Sequence, residues 1–257
     1  MADKSTRSPL KDKPLRLPGQ SLEEERTKLW EDKIEAWLLM ALFLVAIAGL
    51  EWWRYFRDIK PSPIIFSIGA AIVVAFAAWR FFTLRPRMRA LRLGIEGEKA
   101  VGQFLERLRD QGYQVFHDVV GPGFNVDHVV IGPAGIFSIE TKTWRKPSHG
   151  ESRIKIDDDR LLANGREPDR DPIMQARAQA AWLKTLLTDS TGRAQDVFPV
   201  LLFPGWFVEP TQGAKSMWIL EPKALPSFLK REPVRLSAED ASLAAFHLSR
   251  FIRSSEH

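Results

Sequence analysis

The spacing of one predicted β-hairpin brings two carboxylates and a lysine together. The hairpin consists of two strand-like segments, 125–131 and 136–142, joined by a Gly-Pro-Ala-Gly turn. A symmetric turn places Asp127 directly opposite Glu140, with Cβ atoms about 4.5–5.5 Å apart, unless a one-residue bulge shifts the register. Side chains alternate along a strand, so Lys142 lies on the same face as Glu140. The open end of this hairpin is therefore a candidate site for chemistry.

Two acids held this close repel each other unless a cation or a proton lies between them. Oxygen ligands suit Mg²⁺ or Mn²⁺, which bind one or two carboxylates together with a phosphate. Such a site can hydrolyse a phosphodiester, because the metal acidifies a water and neutralises phosphate charge while a lysine helps to hold the nucleophile. The alternative is a structural salt bridge between Glu140 and Lys142. A third acid, Glu98, borders the apolar face of a helix predicted over 94–112 and favours a functional site.

The composition excludes several other kinds of site. The chain has 257 residues and no cysteine, which removes disulfides, thiol nucleophiles and thiolate zinc sites. None of its five histidines has the HExxH spacing of a zinc protease, and no P-loop, GxSxG or GxGxxG motif is present. The net charge of +5 is compatible with nucleic acid or anionic lipid as a partner.

The rest of the C-terminal region has the alternating pattern of a mixed α/β fold. Asp171-Pro172 predicts a helix start, as N-cap and first-turn proline, and Ser237 with Asp240 predicts another by the capping-box pattern. Further strands are predicted over 113–120, 154–156, 160–162, 197–203 and 216–220. These elements supply enough apolar segments for a sheet covered by helices.

Several segments of this region resemble the NERD (nuclease-related domain) family. The matching residues are Gly94-Ile95-Glu96-Gly97-Glu98, Val126-Asp127-His128, Gly135-Ile136-Phe137-Ser138-Ile139-Glu140-Thr141-Lys142, and Pro172 with Gln175 in a Pro-x-x-Gln motif. The resemblance extends from about Arg89 to Phe207. The family is grouped with the PD-(D/E)xK phosphodiesterases, so the resemblance implies an α/β fold with a mixed sheet between helices, the restriction-endonuclease-like core.

The resemblance also implies roles for particular residues. Asp127 and Glu140 would ligate Mg²⁺ or Mn²⁺, Lys142 would be the catalytic lysine, and Glu98 and Gln175 would be accessory catalytic residues. The domain would then be a hydrolase, a metal-dependent nuclease that acts on DNA or RNA. The alternative is a non-catalytic module of the same fold that binds nucleic acid or a protein partner. The presence of both the glutamate and the lysine favours the enzyme, because a pure binder has no need of them.

Three residues directly after the candidate site could bind nucleic acid. Trp144 could stack on a base, and Arg145 and Lys146 could contact phosphates. A solvated loop without a binding role is the alternative interpretation. His128 points to the opposite face of its strand from Asp127 and is predicted to pack in the core rather than to bind metal.

Two long apolar runs, 36–50 and 64–79, precede the α/β region. With their flanks, 34–53 and 64–82, each approaches the ~20 residues that cross a bilayer as a helix. Tryptophans lie at the ends of the runs, as in the aromatic belts of membrane proteins. The alternative, a buried hairpin of a soluble protein, normally shows a polar stripe, and these runs are apolar all round.

The basic residues that flank the runs predict the orientation of this hairpin. Arginines follow the second run closely, whereas the short connector holds only Arg54, Arg57 and Lys60. By the positive-inside rule both termini are cytoplasmic, in a cell (inner) membrane protein with two spans. The chain would then comprise a cytoplasmic, partly disordered N-terminal tail over 1–33 with a helix from about residue 21, a transmembrane hairpin over 34–82, a basic linker over 83–93, and a nuclease-like domain with a C-terminal extension over 94–257.

Overall fold

The computed structural model describes residues 15–57, 63–146, 152–157, 160–209 and 216–254. Most of the tail for which disorder was predicted lies outside these residues. The described residues form two compact units. One unit is residues 21–93, and the other combines the described part of 1–20 with residues 94–257.

The first unit is a helical hairpin. Its elements are α1 (Gln20–Trp30), a π-helical segment (Glu31–Glu35), α2 (Ala36–Phe56) and the first part of α3 (Pro63–Leu105). Trp37 packs on Phe76 with ring centroids 4.6 Å apart, and the Trp52 indole donates to Ser67 Oγ at 3.0 Å. The contact residue with the higher number in α2, Trp52, meets the one with the lower number in α3, Ser67. The two helices therefore run antiparallel.

Both helices of the hairpin are apolar and long enough to cross a membrane. Only 17% of the apolar stretch of the first and 11% of that of the second is buried within the structure. A core helix of a soluble protein would be largely covered by its neighbours. The second of these helices continues without a break through 83–93, so the segment predicted as a linker is helical.

The second unit is built on a mixed five-stranded sheet, as the sequence predicts. Its strands are β1 (Gln114–Val120), β2 (Asn125–Gly132), β3 (Gly135–Thr141), β6 (Val197–Leu202) and β8 (Trp218–Leu220), in the order β1-β2-β3-β6-β8. The pairs β1–β2 and β2–β3 are antiparallel, whereas the pairs β3–β6 and β6–β8 are parallel. A second sheet contains β4 (Arg153–Asp157), β5 (Arg160–Ala163) and β7 (Phe207–Val208).

Helices cover both faces of the main sheet. The C-terminal end of α3, a 3₁₀ segment (Glu106–Gln111) and α5 (Leu225–Arg231) pack on one face. The helices α4 (Pro172–Thr191) and α6 (Ala238–Ser254) pack on the other. The strand β7 and the helix α5 were not predicted, because each is too short to show a periodic pattern.

The register of the β2–β3 hairpin agrees with the symmetric turn. Ile131 lies opposite Ile136, and the pairing continues without a bulge to His128 opposite Ile139. The next positions along this register are Asp127 and Glu140. The predicted register is therefore confirmed up to His128 and Ile139, one position before the two carboxylates.

Residues 15–20, the N-terminal segment, pack into the second unit although they precede the hairpin in the chain. Arg16 Nε donates to Asp118 Oδ2 at 2.6 Å, and both side chains are buried. Pro18 lies against Gly102 of α3, where an added Cβ would come within 2.6 Å of the proline ring. Leu15 packs against the core beneath α4 and α6. The N-terminal segment is thus a structural part of the α/β unit.

The first prediction concerns the buried ion pair of this segment. We expect Arg16→Gln to lower the free energy of unfolding by about 3–5 kcal/mol, because the buried carboxylate of Asp118 would lose its 2.6 Å ion pair with Arg16. The matched control is Lys184→Gln, which removes an exposed pair with Asp196 and should cost less than about 1 kcal/mol. Urea unfolding of the full chain in mild detergent, followed by tryptophan fluorescence, measures both; equal costs would contradict the prediction.

Candidate active site

The candidate site lies where β2 begins and β3 ends. Asp127 and Glu140 are both almost completely buried, at 6% and 3% exposure. Asp127 Oδ2 accepts a hydrogen bond of 2.7 Å from the backbone N–H of Thr141. This bond fixes the aspartate against the end of β3, next to the position of Glu140.

Glu140 accepts hydrogen bonds from three side chains. Lys142 Nζ and Gln175 Nε2 donate to its Oε1 at 2.5 and 2.8 Å, and Gln179 Nε2 donates to its Oε2 at 2.6 Å. Lys142 Nζ also donates to Gln175 Oε1 at 2.9 Å. Glu140, Lys142 and Gln175 therefore form a closed triangle of hydrogen bonds, which fixes the position of the lysine ammonium.

The start of α4 aims the two glutamines at Glu140. Asp171 Oδ1 caps the helix by accepting from the backbone N–H groups of Ile173 and Met174 at 2.8 and 3.2 Å, as the sequence predicts. Gln175 is then in the first turn, and Gln179 lies one turn further along the same face. Sequence analysis missed Gln179, although its i+4 spacing from Gln175 was a usable signal.

Glu98 reaches the site from α3. Gly97 allows the close approach of this helix to the end of β3, because a Cβ there would lie 1.6 Å from Thr143 Oγ1. Glu98 is 5% exposed, and its Oε2 has no hydrogen-bond partner in the described part of the chain. Its pKa is raised to about 8, first by burial and then by the charges of Asp118 and Glu140, although Lys142 and the Gly19 N–H act in the opposite direction.

Asp127 has a similarly unfavourable environment for charge. Burial raises the pKa of this carboxyl well above its usual range, and the neighbouring charges of Glu140 and Glu98 raise it further. The Thr141 N–H and Lys142 offset part of this effect. The site therefore holds three carboxyls that cannot all be charged together unless a proton or a cation lies among them.

The oxygen donors of the site can be compared with the coordination that a divalent cation requires. Among the described residues, no three His, Asp or Glu side chains converge closely enough to form a complete ligand set. Mg²⁺ and Mn²⁺ do not require one, because they bind through one or two carboxylates and keep several waters. The three donors to Glu140 occupy three of its roughly four lone-pair positions, which leaves one on Oε2. With Asp127 beside it and the unpartnered Glu98 Oε2 nearby, the residues fit a hydrated cation.

The three residues predicted to bind nucleic acid follow the site along a groove of about 850 Å³. The ring of Trp144 packs against Phe203 and Trp206, with centroids 5.0 and 6.1 Å away, so part of its surface belongs to the core. Arg145 and Lys146 are exposed, and the groove they line also contains Arg166, Glu167 and Asp169.

His128 is completely buried, as predicted, and packs with a second histidine. Its Nδ1 lies 2.9 Å from Nδ1 of His117, whose Nε2 is 2.9 Å from Glu106 Oε1. Burial lowers the pKa of both histidines, which favours the neutral rings. In this arrangement His128 contributes to packing rather than to the acidic site.

The second prediction follows from the raised pKa of Glu98. Between about pH 4.5 and 8 the folded protein keeps a proton that the unfolded chain has lost, so stability falls as pH rises through this window. Over this window the Glu98 carboxyl can change the free energy of unfolding by roughly 5 kcal/mol at most. We expect Glu98→Gln to reduce the slope, because an amide has no such proton to lose.

Melting temperatures of the full chain in detergent with EDTA, at pH 5 to 8, test this expectation. Glu239→Gln is the matched control, because its side chain is 83% exposed, and it should keep the wild-type slope. A slope in Glu98→Gln as steep as that of wild type would show that this carboxyl does not carry the effect.

Comparisons with known proteins agree with the geometry of the α/β unit. Residues 93–204 match the family model of NERD, the nuclease-related domain. A stretch of 65 residues, 23% of the chain, is 34% identical to an uncharacterized protein of Bacillus anthracis, and it spans 31% of that relative's length. No solved structure matches the chain. Residues 93–204 of this chain are therefore a nuclease-related domain.

Proposed function

We propose that the chain is a membrane-anchored, metal-dependent nuclease that faces the cytoplasm and hydrolyses phosphodiester bonds of DNA or RNA. The observation that carries the proposal is the triangle of Glu140, Lys142 and Gln175 beside the buried carboxyl of Asp127. A salt bridge on a solvated strand would need neither the burial nor the two glutamines. The domain match supports the nuclease-related part of the proposal.

In this proposal Asp127 and Glu140 hold Mg²⁺ or Mn²⁺. The metal supplies a Lewis acid that lowers the pKa of a bound water and neutralises charge on the phosphate. Gln179 fixes Glu140 by its 2.6 Å bond to Oε2, so the carboxylate keeps one orientation. Gln175 holds the Lys142 ammonium in the triangle, where the ammonium orients the attacking water and stabilises charge that develops on the phosphate.

The proposed nucleic-acid contacts lie beyond this metal site. Arg145 and Lys146 would bind phosphates along the groove, and the accessible part of the Trp144 ring would contact a base. Glu98, kept protonated by its surroundings when no cation is present, would assist the site as its third carboxyl.

A second candidate function is a non-catalytic module that binds nucleic acid or a protein partner at the membrane. Two observations favour this module. Among the described residues no three metal ligands converge, and protein donors already occupy most of the lone-pair positions of the Glu140 carboxylate. A module of this kind would keep the groove and need no metal. The two candidates differ in cleavage, which is directly measurable.

The membrane arrangement is supported by the way the second unit is assembled. The N-terminal segment, which precedes both candidate spans, packs together with residues 94–257, which follow them. Segments that pack together must lie on the same side of a membrane, so the number of spans between them is even. Two spans, with the arginine-rich flank of the second on the cytoplasmic side, satisfy this requirement.

The third prediction tests the catalytic proposal. Glu140→Ala should lose both metal binding and cleavage, because too few ligands remain to hold the ion against water. Lys142→Ala should keep the metal while turnover falls by orders of magnitude. Nucleic-acid affinity should change little in either variant, because contacts to many phosphates set it.

The measurement is metal calorimetry beside a cleavage assay, on folded full chain in detergent, with single- and double-stranded DNA and RNA. Lys184→Ala is the matched control, because it removes an exposed lysine from α4 and should retain activity. A wild-type protein that binds nucleic acid but never cuts it with Mg²⁺ or Mn²⁺ would establish the non-catalytic module instead.

The fourth prediction concerns orientation in the membrane. A reporter that is active only in the cytoplasm should give signal when fused after His257 and none when inserted at Pro61 in the connector. The reason is that both ends of the hairpin lie on the cytoplasmic side and its connector on the other. Signal at Pro61 alone would show that the orientation is the reverse of the proposed one. Recovery of the chain in the soluble fraction would contradict the membrane anchor.

A further inference from the structure

A pocket of about 220 Å³ lies between α1 and α3 in the helical unit. Four arginines line it: Arg26, Arg85, Arg89 and Arg92. No acidic side chain is among its described lining residues, although α1 carries several glutamates. Four guanidinium groups around one small volume repel each other, and a bound anion removes that repulsion.

Three of these arginines form no ion pair among the described residues: Arg26, Arg85 and Arg89. By contrast, Arg87 on α3 pairs with Glu25 at 2.5 Å and does not line the pocket. The charges of these three arginines are therefore available to a ligand. Guanidinium groups bind phosphate with two parallel hydrogen bonds, so a phosphate is the anion that fits best.

The other lining residues are apolar. Ile34, which is 3% exposed, lines the pocket together with Trp30, Phe81 and Met88. Ile34 belongs to the π-helical segment, a form of helix that is rare and is often found at functional sites. A free inorganic anion would gain nothing from an apolar wall, whereas a phosphate carried on a hydrocarbon chain would contact both parts.

The position along the helices also matches a lipid. Phe81 comes two residues after Trp79, the end of the second apolar run, and Arg85 is about 9 Å beyond that end along the helix. This distance places Phe81 at the edge of the hydrocarbon layer, and Arg85 at the level of the headgroups, with Met88 and Arg89 beyond it. Nucleic acid, by contrast, would have to enter the headgroup layer to reach the apolar residues.

We propose that this pocket binds the headgroup of one anionic phospholipid, with the arginines on its phosphate and the apolar wall against its acyl chains. Basic pockets between membrane helices on the cytoplasmic side bind anionic lipid in this way. The inference rests on the membrane location proposed above and does not depend on nuclease activity.

The test is lipid binding by the full chain in detergent, read as the shift in melting temperature during titration with short-chain phosphatidylglycerol or phosphatidylcholine. Phosphatidylglycerol should stabilise the protein at lower concentration than phosphatidylcholine. Arg85→Gln and Arg89→Gln should each weaken phosphatidylglycerol binding about fivefold. Arg87→Gln, the matched control, should leave it unchanged, because that arginine is paired with Glu25 outside the pocket.

Further titrations distinguish the source of the phosphate. If inorganic phosphate or glycerol phosphate stabilises the protein as well as the lipid does, the acyl chains contribute nothing and the lipid proposal is wrong. If Arg85→Gln weakens the binding of an oligonucleotide more than the binding of phosphatidylglycerol, the pocket is part of a nucleic-acid-binding surface and the lipid proposal is wrong. Equal losses in Arg85→Gln and Arg87→Gln would show diffuse attraction by net charge instead of a pocket. A chain found in the soluble fraction would contradict the proposed membrane anchor. An anchored chain with no preference for anionic lipid would contradict the lipid pocket alone.

Discussion

The burial of acidic side chains at one end of the main sheet is the constraint on which the α/β unit depends. Glu140, at 3% exposure, keeps its place because Lys142, Gln175 and Gln179 supply hydrogen-bond donors. Lys142 directly follows β3 and the two glutamines lie on α4, so the carboxylate of Glu140 links this helix to the end of the sheet. Leaving a buried polar group without partners costs more free energy of folding than its hydrogen bonds contribute when they are formed. This asymmetry explains why several elements supply donors to Glu140.

Charge is separated along the chain more strongly than the net value of +5 suggests. Acidic groups concentrate inside the α/β unit, whereas arginines concentrate at the end of the hairpin helices. Asp118, completely buried, belongs to the acidic group, and it is held by Arg16 and by Asn125 Nδ2 at 3.0 Å. In the two proposals above, the first concentration would bind a cation and the second would bind an anion.

The sequence was sufficient to predict the hairpin register, the mixed sheet and the start of α4, because each rests on local chemistry. The turn sets the pairing of Ile131 with Ile136, and Asp171 caps its own helix. Gln179 was not predicted, although its i+4 spacing from Gln175 places it on the same face of α4. The N-terminal segment was missed for a different reason, because Arg16 and Asp118 are far apart in the chain and no periodicity records such a pair. The short elements β7 and α5 are stabilised by packing that a local pattern does not show.

The N-terminal segment has a consequence for the order in which the chain assembles. Arg16 and Asp118 are 102 residues apart in sequence, and joining the ends of a flexible loop of that length costs about 4 kcal/mol in entropy before any contact forms. Most of that loop is the helical hairpin. In the proposed membrane arrangement, pairing of α2 with α3 removes most of this flexibility, so less entropy is left to lose when Arg16 meets Asp118. Insertion of the hairpin would then favour docking of the N-terminal segment.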